Sequence, residues 1–444
     1  MCMGYTPIFF FPPHELLQLA TCAREWSQAE VRFLDAIAEK CEEATLHAFL
    51  AQENPDTVVS LIGIDSVASD LAIMDRIKAA FPQMTCIVFG FYPTVLSEEI
   101  LGISRVDFIL RGEPEVTLSK YLRTRNSGGD VDTIVGLAGR REDGMLFVNP
   151  HERIQDFDKL PFPDYTLLDV RKYEEGMVGG PCGAIFTARG CPFQCNYCTT
   201  TYGRKVVQKS PETVLAEAKG LVRAGVRVIR FLDDTFTISK PRVIAICKGM
   251  IDQGISVRWA CLARVDTLDA EMLSWMKRAG CARILVGVES YSRRVLDYLN
   301  KGADPATFNA KLALIRKAGI ESVGFILLGA PVETEEDFQE TVRNVLASPL
   351  DLIGVNRLTP YAGTPLFEKA RDDIVFSLVP YECRFKDESI SRNAARRERL
   401  LYRRFYLRPV MFWRQLYRAL RFPLGSMRLL FILLKSHTMR VPSP

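Results

Sequence analysis

The chain lacks any apolar run long enough to cross a bilayer. The longest late one, LLFILL at 429–434, falls far short of the ~20 residues a spanning helix needs. The amino terminus has no basic region ahead of its apolar stretch and no small-residue cleavage site, so a cytoplasmic protein is expected. Twelve cysteines spread over 444 residues do not reach the density of a small secreted scaffold. That excludes a disulfide framework and leaves reduced thiols, any close cluster of which serves metal or redox chemistry. A further absence lies at 188–198, ARGCPFQCNYC, where Cys191, Cys195 and Cys198 have no fourth cysteine or histidine near enough to complete an ordinary zinc site.

Nearly half the residues (48%) are hydrophobic and 25% are charged, the balance of a globular enzyme. The length predicts two domains and an appendage. The net charge of +4 is unevenly distributed: residues 384–444 hold fifteen Lys and Arg against three acids, a net of +12, which leaves −8 for the remainder.

Residues 5–125 alternate β-rich runs (TPIFFF, VRFLD, TVVSLIGI, TCIVFG, VDFILRG) with helical patterns near 15–26, 38–52, 68–80 and 96–101. Such alternation predicts an α/β domain with a doubly wound, Rossmann-like parallel sheet. Residues 126–180, rich in Gly, Asp and Pro, read as a linker with one hairpin. From 181 to about 370 a second series begins, with strands in GAIFTARG, VRVIRFLDD, VRWACLARV, ARILVGVES, ESVGFILLG and LDLIGVNRL. Basic residue, Ala and Gly recur at 223–225, 278–280 and 317–319, a helix stop each time. Six βα units predict a partial (β/α)6 barrel with its site at the carboxyl ends of the strands. Residues 371–444 form a basic segment in which arginines and aromatics recur at helical spacing, broken near Pro409.

The three cysteines fall in the loop after the first barrel strand. A structural zinc site would have to borrow Cys182 as its fourth ligand. A 4Fe-4S cube, by contrast, takes three thiolates from one compact loop and keeps one iron open. The spacing C-x-x-x-C-x-aromatic-C, with Tyr197 in the aromatic slot, resembles the radical S-adenosylmethionine superfamily. The resemblance implies that Cys191, Cys195 and Cys198 hold the cluster and that S-adenosylmethionine binds its open iron. It further implies that Asp233 and Asp234 meet the methionine amino group, Arg264 the carboxylate, and Glu289 and Ser290 the ribose, with Gly329 in the turn under the adenine. Capping or ion pairing among these polar residues is the structural alternative. The remaining cysteines read as small buried hydrophobes.

The amino-terminal pattern GFYPTVLSEE...VDFILRGEPE resembles the domain of the cobalamin-binding radical enzymes (methylases, anaerobic cyclases, radical diol dehydratases), with Glu113 in their R-G-E turn. A lower-ligand motif D-x-H-x-x-G would align on Asp35, putting Ile37 at the His and Lys40 at the Gly, and Gly90 is followed by Phe91 where a second Gly is usual. These departures turn the expectation away from cobalamin, toward dehydration or elimination on a diol or aminosugar-like small molecule, with a cobalamin-dependent C-methyltransferase or anaerobic cyclase as the alternative. The resemblance also implies a flavodoxin or ferredoxin as electron donor. For the tail, a helical cap with snorkelling arginines stands beside peripheral contact with an anionic membrane. No nucleic-acid partner is expected, because a helical tail does not resemble the small β-barrel that such enzymes use to hold transfer RNA.

Overall fold

The computed structural model describes residues 11–141, 143–174, 179–409 and 411. The first predicted strand, TPIFFF, apart from Phe11, and the tail beyond 411 lie outside the described residues. Helix α1 (His14–Ser27) leads into the irregular stretch 28–42, then α2 (Glu43–Glu53), β1 (Thr57–Leu61), α3 (Val67–Ala80), β2 (Thr85–Phe89), α4 (Phe91–Val95), α5 (Ser97–Ile103), β3 (Phe108–Leu110) and α6 (Pro114–Asn126). Strands β1 to β3 pair in parallel. The hairpin foreseen in the linker is β4 (Leu137–Arg140) and β5 (Leu146–Val148), and it extends this sheet in antiparallel fashion.

VRFLD is not a strand. Asp35 folds its carboxylate back onto the amides of Ile37 and Ala38, an Asx turn, and its other oxygen accepts from the Tyr173 hydroxyl at 2.8 Å. The predicted helix at 38–52 starts only at Glu43 for the same reason.

The second sheet contains β6 (Cys182–Ile185), β9 (Val228–Phe231), β10 (Arg258–Arg264), β11 (Cys281–Glu289), β12 (Glu321–Leu328) and β13 (Leu352–Arg357). They lie side by side in chain order, every pair parallel, as six right-handed βα units would lay them. The two-residue strands β7 (Ala188–Arg189) and β8 (Val207–Gln208) pair antiparallel between β6 and β9. The connecting helices are α7 (Pro211–Arg223), α8 (Lys240–Asp252), α9 (Ala270–Arg278), α10 (Arg293–Tyr298), α11 (Phe308–Lys317) and α12 (Glu335–Ala347). Ser210 caps α7 with Pro211 at its first position, and Gly225, Gly280 and Gly319 follow helix ends in left-handed conformation. One apolar cluster fills the space between this sheet and its helices. Another joins β1 to β3 and their helices to Val295, Leu299, Leu327 and Leu366, fusing the two sheets into one body.

After α13 (Pro365–Lys369), the antiparallel pair β14 (Ile374–Ser377) and β15 (Glu382–Phe385) leads into α14 (Glu388–Tyr406), which ends before Pro409. Helix α14 lies along the open edge of β13. Val355 N–H donates to the Tyr402 hydroxyl at 2.9 Å, while the Tyr406 hydroxyl accepts from Ile353 N–H at 3.2 Å and donates to its carbonyl at 3.1 Å. Two phenols thus stand in for a seventh strand, and the edge is covered. No helix among the described residues is long and apolar enough to cross a membrane. Tyr402→Phe should lower stability by roughly 1–3 kcal/mol, the cost of an unpaired buried N–H, in anaerobic urea denaturation. A change under about 0.5 kcal/mol would show the edge drawing on water instead.

Candidate active site

All the sequence-predicted site residues stand at the carboxyl ends of consecutive strands. The cysteines follow β6 and β7, Asp233 and Asp234 follow β9, Arg264 ends β10, Glu289 ends β11 and Gly329 follows β12. A parallel sheet assembles a site in this way because its strand ends converge where its loops begin.

The cysteine loop has almost no regular structure, so its shape comes from its partners. Cys191 N–H donates to Gly203 O at 3.1 Å, Asn196 N–H to Leu299 O at 3.1 Å, and Leu366 N–H to Asn196 O at 2.9 Å. The amide groups of Asn196 and Asn300 reach Tyr298 O and Gln194 O, each at 2.7 Å. Arg204 donates to the carbonyls of Phe193 and, at 3.0 Å, Cys195. Arg264 donates to the Cys195 sulfur at 3.3 Å and lies 3.8 Å over the Phe193 ring.

Cys191 and Cys195 lie within electrostatic reach of Cys198. Burial pushes the Cys198 thiol up to about 12, and Asp234 and the other two cysteines add to the effect. Among the described residues, no three His, Cys, Asp or Glu gather around a point that would suit a single metal ion. Three thiols from one loop, with no fourth cysteine or histidine beside them among the described residues, are the donor set of a cube that keeps one iron open rather than of a four-coordinate zinc. Cys182 could not complete a zinc site: it sits buried at the far end of β6, its sulfur directed at Gly183 O.

The remaining predicted residues separate by what already occupies them. Both oxygens of Asp233 are taken, accepting from the amides of Thr187 (2.6 Å) and Ala188 (3.0 Å) and from the Thr187 hydroxyl at 2.5 Å. Asp234 instead is exposed, and its carboxylate has no hydrogen-bond partner among the described residues. Desolvation by the atoms packed about it, with the charge of Asp233, pushes its carboxyl up to about 6. Arg264 commits four of its five N–H groups, to Cys195, to both oxygens of Asp266 and to Lys301 O. Glu289, in left-handed conformation beyond a bulge in β11, pairs with Lys301 at 2.9 Å and stands beside the Tyr197 phenol. Ser290 is buried, turned away toward the Thr341 hydroxyl at 3.1 Å. Gly329 donates to Glu333 at 3.1 Å, and a side chain there would meet Ala394 of α14. The structural alternative of ion pairing therefore holds for Arg264 and Glu289, although with Asp266 and Lys301 rather than with each other. Lys301, Arg204 and Asn196 had no signal in the sequence, because each matters only through a backbone carbonyl or a carboxylate distant along the chain.

A family model described as the radical SAM superfamily matches residues 185–345. An uncharacterized methyltransferase of Pyrococcus horikoshii is 30% identical over 90% of this chain and 88% of that protein. The anaerobic magnesium-protoporphyrin IX monomethyl ester cyclase of Cereibacter sphaeroides is 26% identical over 94% of this chain and 71% of that protein. The solved structure of the cobalamin-dependent S-adenosylmethionine radical enzyme OxsB matches with TM-score 0.77 at 17% identity, covering 89% of this chain and 65% of that one, a likeness of fold. The chain belongs to the radical SAM superfamily, in the subgroup with an amino-terminal cobalamin-binding-like domain. The cofactors of that superfamily are a 4Fe-4S cluster and S-adenosylmethionine.

Because the Lys301 ammonium is almost fully buried against Glu289, Glu289→Gln should cost about 3 kcal/mol in anaerobic denaturation. Adding Lys301→Met should recover most of that loss. A Glu289→Gln protein as stable as the parent would contradict the pairing.

Proposed function

We propose that Cys191, Cys195 and Cys198 hold the 4Fe-4S cluster and that the enzyme abstracts hydrogen from an unactivated carbon of a small molecule; methylation of the resulting carbon radical would take its methyl group from a methylated corrinoid, itself recharged by a second S-adenosylmethionine. The bound cluster, once reduced, supplies the electron that releases a 5′-deoxyadenosyl radical from S-adenosylmethionine. What carries the reading is one loop presenting three thiols and no fourth, at the mouth of a six-strand sheet. Asp234, with its raised carboxyl and no side-chain partner among the described residues, is the group placed to accept the methionine ammonium. Asp233 instead fixes the turn that aims it. Arg264 orients Cys195 and keeps one N–H for a carboxylate. Tyr197 and Glu289, which stand side by side, would meet the ribose, and the Gly329 turn, packed under α14, would carry the adenine. A flavodoxin or ferredoxin is the donor class such a cluster needs.

Methylation is preferred to the dehydration expected from the sequence because the relatives are named methyltransferases, methylases and cyclases. Ring closure is the second reading, favoured by the cyclase likeness along 94% of this chain. The described residues do not fit a corrinoid held through a protein imidazole. Ile37 is 69% exposed on a turn pinned by Tyr173. A side chain at Gly90 would strike Ile62 O, and Phe91 and Tyr92 are buried in the core between the sheets.

Anaerobically reconstituted protein, reduced with dithionite in the presence of S-adenosylmethionine, should form 5′-deoxyadenosine and methionine. Cys195→Ala should form neither and lose its iron, and normal product from that variant would defeat the assignment. Asp234→Asn should weaken S-adenosylmethionine binding roughly tenfold, the worth of one charge-assisted hydrogen bond, with iron content unchanged; undiminished affinity would remove Asp234 from the site.

A further inference from the structure

The stretch Arg111-Gly112-Glu113-Pro114-Glu115 follows a strand of the amino-terminal sheet, yet its two carboxylates are spent on Arg189 of the barrel and Arg153 of the linker. Glu115 accepts from Arg189 at 2.6 Å, and Glu113 pairs with Arg189 at 3.5 Å and with Arg153. The side chains of Arg189, Glu113 and Glu115 are only 2%, 2% and 1% exposed. Arg189 is further boxed by the rings of Tyr202 (4.6 Å), Phe157 (4.9 Å) and Phe186 (5.6 Å).

These two arginines grip both ends of the cysteine loop. Arg189 lies two residues before Cys191 and pairs with Val207 across β7 and β8, which closes the loop at its base. Between them Gly190 runs so near Lys205 O that a side chain would stand 2.4 Å from it. Arg153 donates to Lys205 O at 3.1 Å and to Tyr202 O, at the other end. Burying four charges is a poor route to stability, since desolvation consumes the Coulombic gain. Nor is the network saturated: Glu115 Oε2, Arg189 Nε and Arg153 Nη2 are buried without a hydrogen-bond partner among the described residues. What it does supply is geometry, a rigid fork from one domain onto the loop of the other.

We propose that Glu113 and Glu115, acting through Arg153 and Arg189, are positioning residues for the cysteine loop, so that docking of the amino-terminal domain sets the arrangement in which the three thiolates meet iron. This rests on the reading that the loop holds the cluster. It gives the amino-terminal domain a part in the chemistry that does not depend on any ligand of its own.

The test uses the full-length protein, reconstituted anaerobically, with Glu115→Gln, an uncharged isostere, and Arg153→Lys, at the more exposed end of the fork. Iron content and thermal melting report folding. The electron paramagnetic resonance spectrum of the reduced cluster, with and without S-adenosylmethionine, and the 5′-deoxyadenosine formed per reduced cluster report geometry. Expected are near-parental iron content in both, near-parental melting for Arg153→Lys and lower melting for Glu115→Gln, which leaves Arg189 buried without its carboxylate, together with an altered spectrum and a roughly ten- to hundredfold lower yield, Arg153→Asp being more severe than Arg153→Lys. Parental spectra and yield in both variants overturn the proposal. So does an Arg153→Lys protein of parental spectrum and yield beside a Glu115→Gln protein that merely fails to fold. A parental protein without any cluster would remove the underlying reading first, an outcome told apart by its iron content alone.

Discussion

A short irregular loop can offer three thiols in a single arrangement only if its backbone is held from outside, and here the holding falls to arginine. Arg264 binds a sulfur and stacks on Phe193, Arg204 ties two carbonyls within the loop, and Arg153 and Arg189 clamp its base to Glu113 and Glu115. Guanidinium suits the task because it stays charged when buried and projects several donors in a fixed plane. With the cluster in place the same positive groups would offset the negative charge of the thiolates, so orientation and charge compensation come from the same side chains.

The sheet gives this arrangement its platform. Six parallel strands in chain order bring residues from β6 to β12, more than a hundred positions apart in sequence, to one edge. The terminal strand would remain open there, but Tyr402 and Tyr406 satisfy its outward groups and Ala394 settles against the Gly329 turn. The first helix of the basic tail is thus part of the barrel wall, with Arg397 tied to Glu333 beneath that turn. Of the cap and the membrane contact that its arginine and aromatic spacing suggested, α14 takes the position of a cap. The rest of the tail, 412–444, lies outside the described residues.

Legibility in the sequence followed the range of the interactions. The six barrel strands could be read because each has its own apolar run, and β9, β11 and β12 each follow a basic-Ala-Gly stop, all local signals. The cysteine spacing is local as well. VRFLD misled because its apolar pattern is that of a strand, while the deciding interaction, Asp35 with Tyr173, spans 138 positions. Among the site residues, types and strand ends were foreseeable, but occupancy was not. That Asp233 is consumed by Thr187 and Ser290 by Thr341, leaving Asp234 open, depends on contacts no spacing encodes. Glu113 was legible as a motif, its partner Arg189 only from the structure.

The central claim is that one iron of a cube is left for S-adenosylmethionine. Mössbauer spectroscopy of protein reconstituted anaerobically with 57Fe, before and after addition of S-adenosylmethionine, addresses it most directly. The account predicts a 4Fe-4S signal in which one iron is distinct from the other three and shifts when the nucleotide binds. Four irons indifferent to the nucleotide, or a protein that takes up no cluster, would contradict it.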